Sequence, residues 1–120
     1  MGRVLIIDDS PTDRKKMLDV VQSLNHEALV ADDGSDGVTK AREEKPDLIL
    51  MDIIMPDLNG FQATRQLSRD AATGDIPIVV VTTKDQKTDR VWGMRQGASE
   101  FLVKPVDNKA LAEVIRRMIP

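Results

Sequence analysis

The chain has 120 residues, 41% of them hydrophobic and 31% charged, and a net charge of −3. That is the composition of one soluble globular domain, expected to span residues 1–120. Without cysteine it has no disulfide, thiolate zinc site or thiol nucleophile. The acidic balance argues against direct nucleic-acid binding, and the short basic clusters Arg14-Lys15-Lys16 and Arg116-Arg117 read as solvated helix faces. No apolar run has the length of a membrane span and no leader precedes the first strand, so no membrane insertion and a cytoplasmic location are expected.

In chain order, Arg3 to Ile7 is continuously apolar and β-branched, as in a strand covered on both faces. Ser10-Pro11 follows as N-cap and first helical residue, and Met17, Leu18, Val21 and Leu24 recur at helical spacing. Asn25-His26 turns the chain out, His26 being expected as an exposed turn residue, and a weaker strand at Ala28 to Ala31 is expected at an edge. The second helix is expected to be capped by Ser35, with Val38 and Ala41 facing inward and Pro46 stopping it. The acidic pair Asp32-Asp33 before it reads as capping or solvation. A third apolar run, Leu48 to Met51, leads to Asp52 and the turn-rich loop Met55-Pro56-Asp57-Leu58-Asn59-Gly60. Phe61, Thr64, Leu67 and Ala71 mark a third helix. Ile78 to Val81 forms a fourth strand. Val91, Met94 and Ala98 predict the inner stripe of a fourth helix ending near Gly97. Phe101 to Val103 forms a fifth strand, and Asp107 caps a last helix with Leu111, Val114, Ile115 and Met118 on its apolar face. Met17, Met51, Met94 and Met118 read as core filler.

Five β-α units in strict alternation imply a parallel sheet with right-handed crossovers and helices on both faces. Ligand sites in such sheets lie beyond the carboxyl ends of the strands. Asp8-Asp9, Asp52, Thr82 and Lys104-Pro105 each follow an apolar run, so acids, a hydroxyl and an amine gather at that edge. Clustered carboxylates need a countercharge, which a hard oxygen-seeking ion such as Mg²⁺ supplies. Asp52, alone at its strand end, is then placed as a carboxylate nucleophile toward phosphorus, with Lys104 and Thr82 facing the transferred group's oxygens.

At these residues the sequence resembles the response-regulator receiver family over its whole length. The features are Asp8-Asp9, the loop Asp52-Ile53-Ile54-Met55-Pro56 ending in Asn59-Gly60, Thr82, Gly97-Ala98 and Lys104-Pro105. The resemblance implies a flavodoxin-like, doubly wound (βα)5 fold with strand order 2-1-3-4-5. It implies phosphorylation of Asp52 by a histidine kinase. Mg²⁺ (or Mn²⁺) is then held by Asp9 and Asp52 directly, by Asp8 largely through water, and by the backbone carbonyl of Ile54. It further implies a cis Lys104-Pro105 bond, and a switch in which Thr82 and Phe101 rearrange a surface of the fourth helix, fifth strand and fifth helix that meets an effector protein. Ile54 and Lys84 stand where the family tunes hydrolysis. Trp92 and a half-buried Phe101 are candidates for the partner face. Gly60-Phe61-Gln62-Ala63-Thr64-Arg65 and Val81-Thr82-Thr83-Lys84-Asp85-Gln86 resemble, more narrowly, twitching-motility regulators of type IV pili.

Other readings compete. An aspartyl-phosphate phosphatase needs a general acid two residues after its nucleophile, where Ile54 stands, so self-phosphorylation and slow dephosphorylation are expected rather than turnover. A flavin module lacks a stacking pair among Phe61, Trp92 and Phe101. A receiver belonging to a longer DNA-binding transcriptional regulator and a phosphate-independent docking module stay open.

Overall fold

In the computed structural model, which describes residues 1–120, strands and helices alternate strictly. They are β1 (Arg3–Ile7), α1 (Pro11–Ser23), β2 (Glu27–Ala31), α2 (Gly34–Glu44), β3 (Leu48–Met51), α3 (Gly60–Arg69), β4 (Ile78–Thr82), α4 (Lys87–Gln96), β5 (Glu100–Val103) and α5 (Asn108–Met118). The strands pair in parallel in the order β2-β1-β3-β4-β5, so winding reverses between β1 and β3. This is the flavodoxin-like sheet, with β2 at one edge.

Both sheet faces are covered, which explains the unbroken apolar strands. On one face Val4, Ile6, Leu48, Leu50, Val79 and Val81 pack against Met17, Val20 and Val21 of α1 and Leu111, Val114 and Ile115 of α5. On the other, Leu5, Ile7, Ile49, Met51 and Ile78 pack against Val38 and Ala41 of α2 and Ala63 and Leu67 of α3. A smaller cluster of Ile53, Val80, Ala98 and Phe101, with Phe61 against it, fills the corner under α4. At the amino edge of the sheet, Gly2 donates its N–H to His26 Nδ1 at 2.8 Å, and a Cβ on Gly2 would lie 3.0 Å from Ile119. Both chain ends therefore sit under the strand starts. His26 is a half-buried acceptor there, not an exposed turn residue.

Local signals hold with four corrections. Ser10 caps α1 as expected, its hydroxyl accepting from the Asp13 N–H at 3.3 Å. The cap of α2 is Asp33, accepting from the Asp36 N–H at 2.7 Å, and not Ser35, whose own N–H is taken by the carboxylate of Asp57. Helix α3 ends at Arg69, because Asp70 turns extended and accepts from the Ala72 N–H; Ala71 is outside the helix and exposed. Of the expected inner stripe of α4, Ala98 is buried just past the helix end, but Val91 is 45% and Met94 40% exposed, and Gly93 is the one buried residue within the helix. A Cβ on Gly93 would stand 3.0 Å from the Phe101 ring, so α4 approaches the sheet through a position without a side chain. Phe101 is thereby covered to 3% exposure rather than half buried.

Candidate functional site

The register decides which side chains meet. Ala31, Ile7, Met51, Val80 and Phe101 form one row across the sheet. Asp8 and Asp52 are the next residues on β1 and β3, side by side at the winding reversal. Their backbones stay tied: Asp8 N–H donates to Ala31 O at 3.1 Å, Asp52 N–H to Ile7 O at 2.9 Å, and Lys104 N–H to Thr82 O at 2.7 Å. Strand side chains alternate in facing. Asp8 continues the series of Val4 and Ile6, Asp52 that of Leu48 and Leu50, and Lys104 follows Leu102, so all three lie on the α1/α5 face. Thr82 continues Val80 instead and lies on the α4 side with Phe101.

On the α1/α5 face the Lys104 amine enters a cage of carboxylates. Its Nζ donates to Asp8 Oδ2 at 2.7 Å, Asp13 Oδ2 at 2.9 Å and Asp52 Oδ2 at 3.0 Å. An ammonium has three N–H bonds, so its donors are fully used. Asp8 is wholly buried and Asp52 is 6% exposed. Their remaining oxygens accept backbone N–H groups, Ser10 to Asp8 Oδ1 at 2.9 Å and Ile54 to Asp52 Oδ1 at 3.2 Å. Burial pushes the Asp8 carboxyl up, against the pull of Lys104 and the Ser10 N–H. Burial acts to lower the Lys104 amine, but Asp13, Asp8 and Asp52 together outweigh it and the net direction is upward. Asp13 is lowered, chiefly by its bond to Lys104.

Asp9, exposed, completes a trio with Asp8 and Asp52 whose carboxylate oxygens lie within 4.8 Å of one another. At that separation and an effective dielectric near 20, each charged pair repels by about 3 kcal/mol. Lys104 contacts two of the three and not Asp9. An all-oxygen donor set with excess negative charge fits a hard divalent cation.

The loop after β3 frames this hollow. Gly60 N–H donates to Ile53 O at 2.9 Å, and a Cβ on Gly60 would sit 2.3 Å from Asp52 O, so the loop closes only over glycine. Asn59 caps α3. Asp57 spans to α2, accepting from the N–H groups of Gly34 and Ser35 at 3.1 Å each. With the Ser35 hydroxyl as the main cause, its carboxyl is held down at about 2.

Other expected site residues are placed as follows. Thr82 is buried, its hydroxyl accepting from the Lys84 N–H at 3.4 Å, while Thr83 is exposed. Ile54 is 49% exposed. The Lys84 amine turns toward Asp89 at 4.0 Å. The Lys104-Pro105 bond is cis. Trp92, 54% exposed, borders a hollow with Phe61, Gln62 and Arg65 between α3 and α4. Phe101 is corrected as a partner contact, because its ring is buried under Gly93 and only its backbone oxygen reaches outward, accepting from Arg90 at 3.2 Å.

Two positions that the structure ties to the site and to the α4–β5–α5 surface escaped the sequence reading. Asp13 carried no signal beyond its place in the first turn of α1. Glu100 ties the α4–β5–α5 surface together, meeting Arg90 of α4 and Arg117 of α5 at 3.4 Å each.

Acids and an amine thus gather at the winding reversal, where doubly wound sheets of this kind bind their ligands. The family model of the response regulator receiver domain matches residues 4–116, and the chain belongs to that family. It is 56% identical over 119 residues to Protein PilH of Pseudomonas aeruginosa, covering 99% of this chain and 98% of that one. It is 34% identical to Response regulator PleD of Caulobacter vibrioides, spanning 26% of PleD's length. Among solved structures, the chemotaxis protein CheY4 of Vibrio cholerae superposes with a TM-score of 0.91 at 29% identity, covering 98% of both chains. The protein is thus a two-component receiver domain, close to PilH. No helix is long and apolar enough to cross a membrane.

Proposed function

We propose that this receiver is a phosphoacceptor switch in which Asp52 takes a phosphoryl group from a histidine kinase. The observation that carries the reading is the trio of Asp8, Asp9 and Asp52 with the Lys104 amine between two of its members. Asp8, Asp9, Asp52 and the Ile54 backbone carbonyl would hold Mg²⁺ or Mn²⁺. Bound there, the cation supplies charge neutralisation between acid and phosphoryl oxygens. Asp52 oxygen forms a bond to phosphorus as the P–N bond of the donor imidazole breaks, and the imidazole nitrogen leaves with the bonding pair. Lys104 exchanges its contact with Asp52 Oδ2 for a phosphoryl oxygen. Catalysis is positioning and electrostatics, so the protein phosphorylates itself and does not turn over a substrate.

The phosphoryl group draws the Thr82 hydroxyl, which shares a face with Phe101 and α4. Helix α4 is the movable element: it buries only a glycine and is held by Arg90 to Glu100 and to Phe101 O. The α4–β5–α5 surface then meets an effector protein. The likeness to PilH supports a regulator of pilus-linked, chemotaxis-like signalling acting in the cytoplasm.

Incubation with acetyl phosphate and Mg²⁺, read by intact mass, is expected to add one phosphoryl increment. The increment is expected to vanish in Asp52→Asn and with a chelator. No increment under these conditions refutes the proposal in favour of a phosphate-independent docking module.

A further inference from the structure

Lys104 is held by three carboxylates, and two of them have another claim on them. Asp8 and Asp52 belong to the trio suited to a divalent cation, whereas Asp13 does not. A cation among Asp8, Asp9 and Asp52 would compete for the carboxylates that hold the amine, and would repel the amine by charge. A lysine side chain left without its anion swings to solvent on its flexible stem. Its third partner decides whether it stays.

Asp13 is built for that task. It occupies the first turn of α1, where Ser10 caps the helix through the Asp13 N–H, so the backbone is fixed rather than on a loop. Two residues of this helix reach the segment after β5. Asp13 bonds the Lys104 amine, and one turn on Lys16 donates to Val106 O at 3.0 Å. The Lys104 side chain is 10% exposed, while that of Asp13 is 41% exposed and stands at the mouth of the hollow. Asp13 therefore gives the amine a partner that is more exposed than Asp52 and lies outside the acidic trio.

We propose that Asp13 is a positioning residue that retains Lys104 in the phosphoryl site when a divalent cation occupies the acidic trio. Without cation, Asp8 and Asp52 suffice. With cation, Asp13 alone keeps an N–H of Lys104 anchored while the others face the incoming phosphoryl oxygens. The proposal rests on the trio being the cation site.

The test compares wild type, Asp13→Asn and Asp13→Glu, with and without Mg²⁺, using the side-chain NMR signals of Lys104. In wild type the Lys104 signal is expected to stay distinct from the solvent-exposed lysines after Mg²⁺ is added. In Asp13→Asn it is expected to be distinct without Mg²⁺ and to merge with them on adding it. Asp13→Glu is expected to restore the wild-type behaviour. The phosphorylation rate constant at saturating Mg²⁺ and acetyl phosphate is expected to fall about tenfold in Asp13→Asn, with the acetyl phosphate concentration at half-maximal rate unchanged. A Lys104 signal that stays distinct in Mg²⁺-loaded Asp13→Asn, or an unchanged rate constant, overturns the role of Asp13 while leaving the cation site standing. Absence of any Mg²⁺-induced shift at Asp8, Asp9 and Asp52 overturns both.

Discussion

At the scale of single residues, the hollow shows why an acid at a strand end is easier to read than its partners. Asp8 and Asp52 announce themselves because apolar strands stop abruptly at them, and register makes them neighbours. Asp13 gives no such sign. Its role depends on how α1 leans toward β5, a relation between positions 91 residues apart. Ile54 is a residue whose consequence follows from its surroundings. It is half exposed beside Asp52 and offers no hydrogen bond from its side chain. Ile54→Asn is expected to orient an attacking water and speed decay of the phosphorylated form about fivefold, the worth of a hydrogen bond of about 1 kcal/mol. Equal or slower decay of the purified phosphoprotein would refute this. Asp57 yields a pH dependence. Its carboxyl is depressed from 3.8 to about 2 in the folded state, so its contribution is full above 3.8 and is lost as pH falls toward 2. The urea midpoint of wild type minus that of Asp57→Asn is expected to be constant at neutral pH and to shrink in that acid window.

At the scale of elements, helices with one buried stripe were legible and α4 was not. In α1 and α5 the apolar spacing matches the residues that pack on the sheet. Helix α4 carries Val91 and Met94 at the same kind of spacing, yet its contact with the sheet is made by Gly93 against Phe101. Spacing reports a face; it does not report whether anything covers that face. The same glycine explains why Phe101 is deeper than its neighbours suggest. The β3–α3 loop was legible as a turn, but the reason for Gly60 lies in the closeness of Asp52 O. Gly60→Ala is expected to cost about 1–3 kcal/mol by overpacking, a fall in Tm of roughly 4 °C per kcal/mol. Because the clash is with the backbone of Asp52, it is also expected to weaken Mg²⁺ binding. A melting curve and Mg²⁺ titration matching wild type would show that the loop has slack.

At the scale of the whole molecule, strict alternation predicted the parallel, doubly covered sheet. The order of its strands came from family resemblance, since periodicity alone does not fix which strand lies beside which. The sheet then gathers more negative charge at one end than Lys104 balances, and this repulsion sets a global trade. Asp9→Asn is expected to raise stability by about 1 kcal/mol in cation-free buffer. That is less than the Coulomb figure for a pair, because Asp9 is exposed and screened. In wild type, Mg²⁺ at about 100 times its Kd is expected to add about 2.7 kcal/mol, and most of that gain is expected to be lost in Asp9→Asn. Urea unfolding with and without Mg²⁺ measures both; a wild type indifferent to Mg²⁺ contradicts the trade. The placement of Gly2 beside Ile119 has a practical consequence. The strands separate the chain termini from the acidic end by about 17 Å along β1. A tag at either extremity, whether a fluorophore, a fused reporter or a linker to a sensor chip, is thus carried on the far pole and leaves the reactive end pointing into solution.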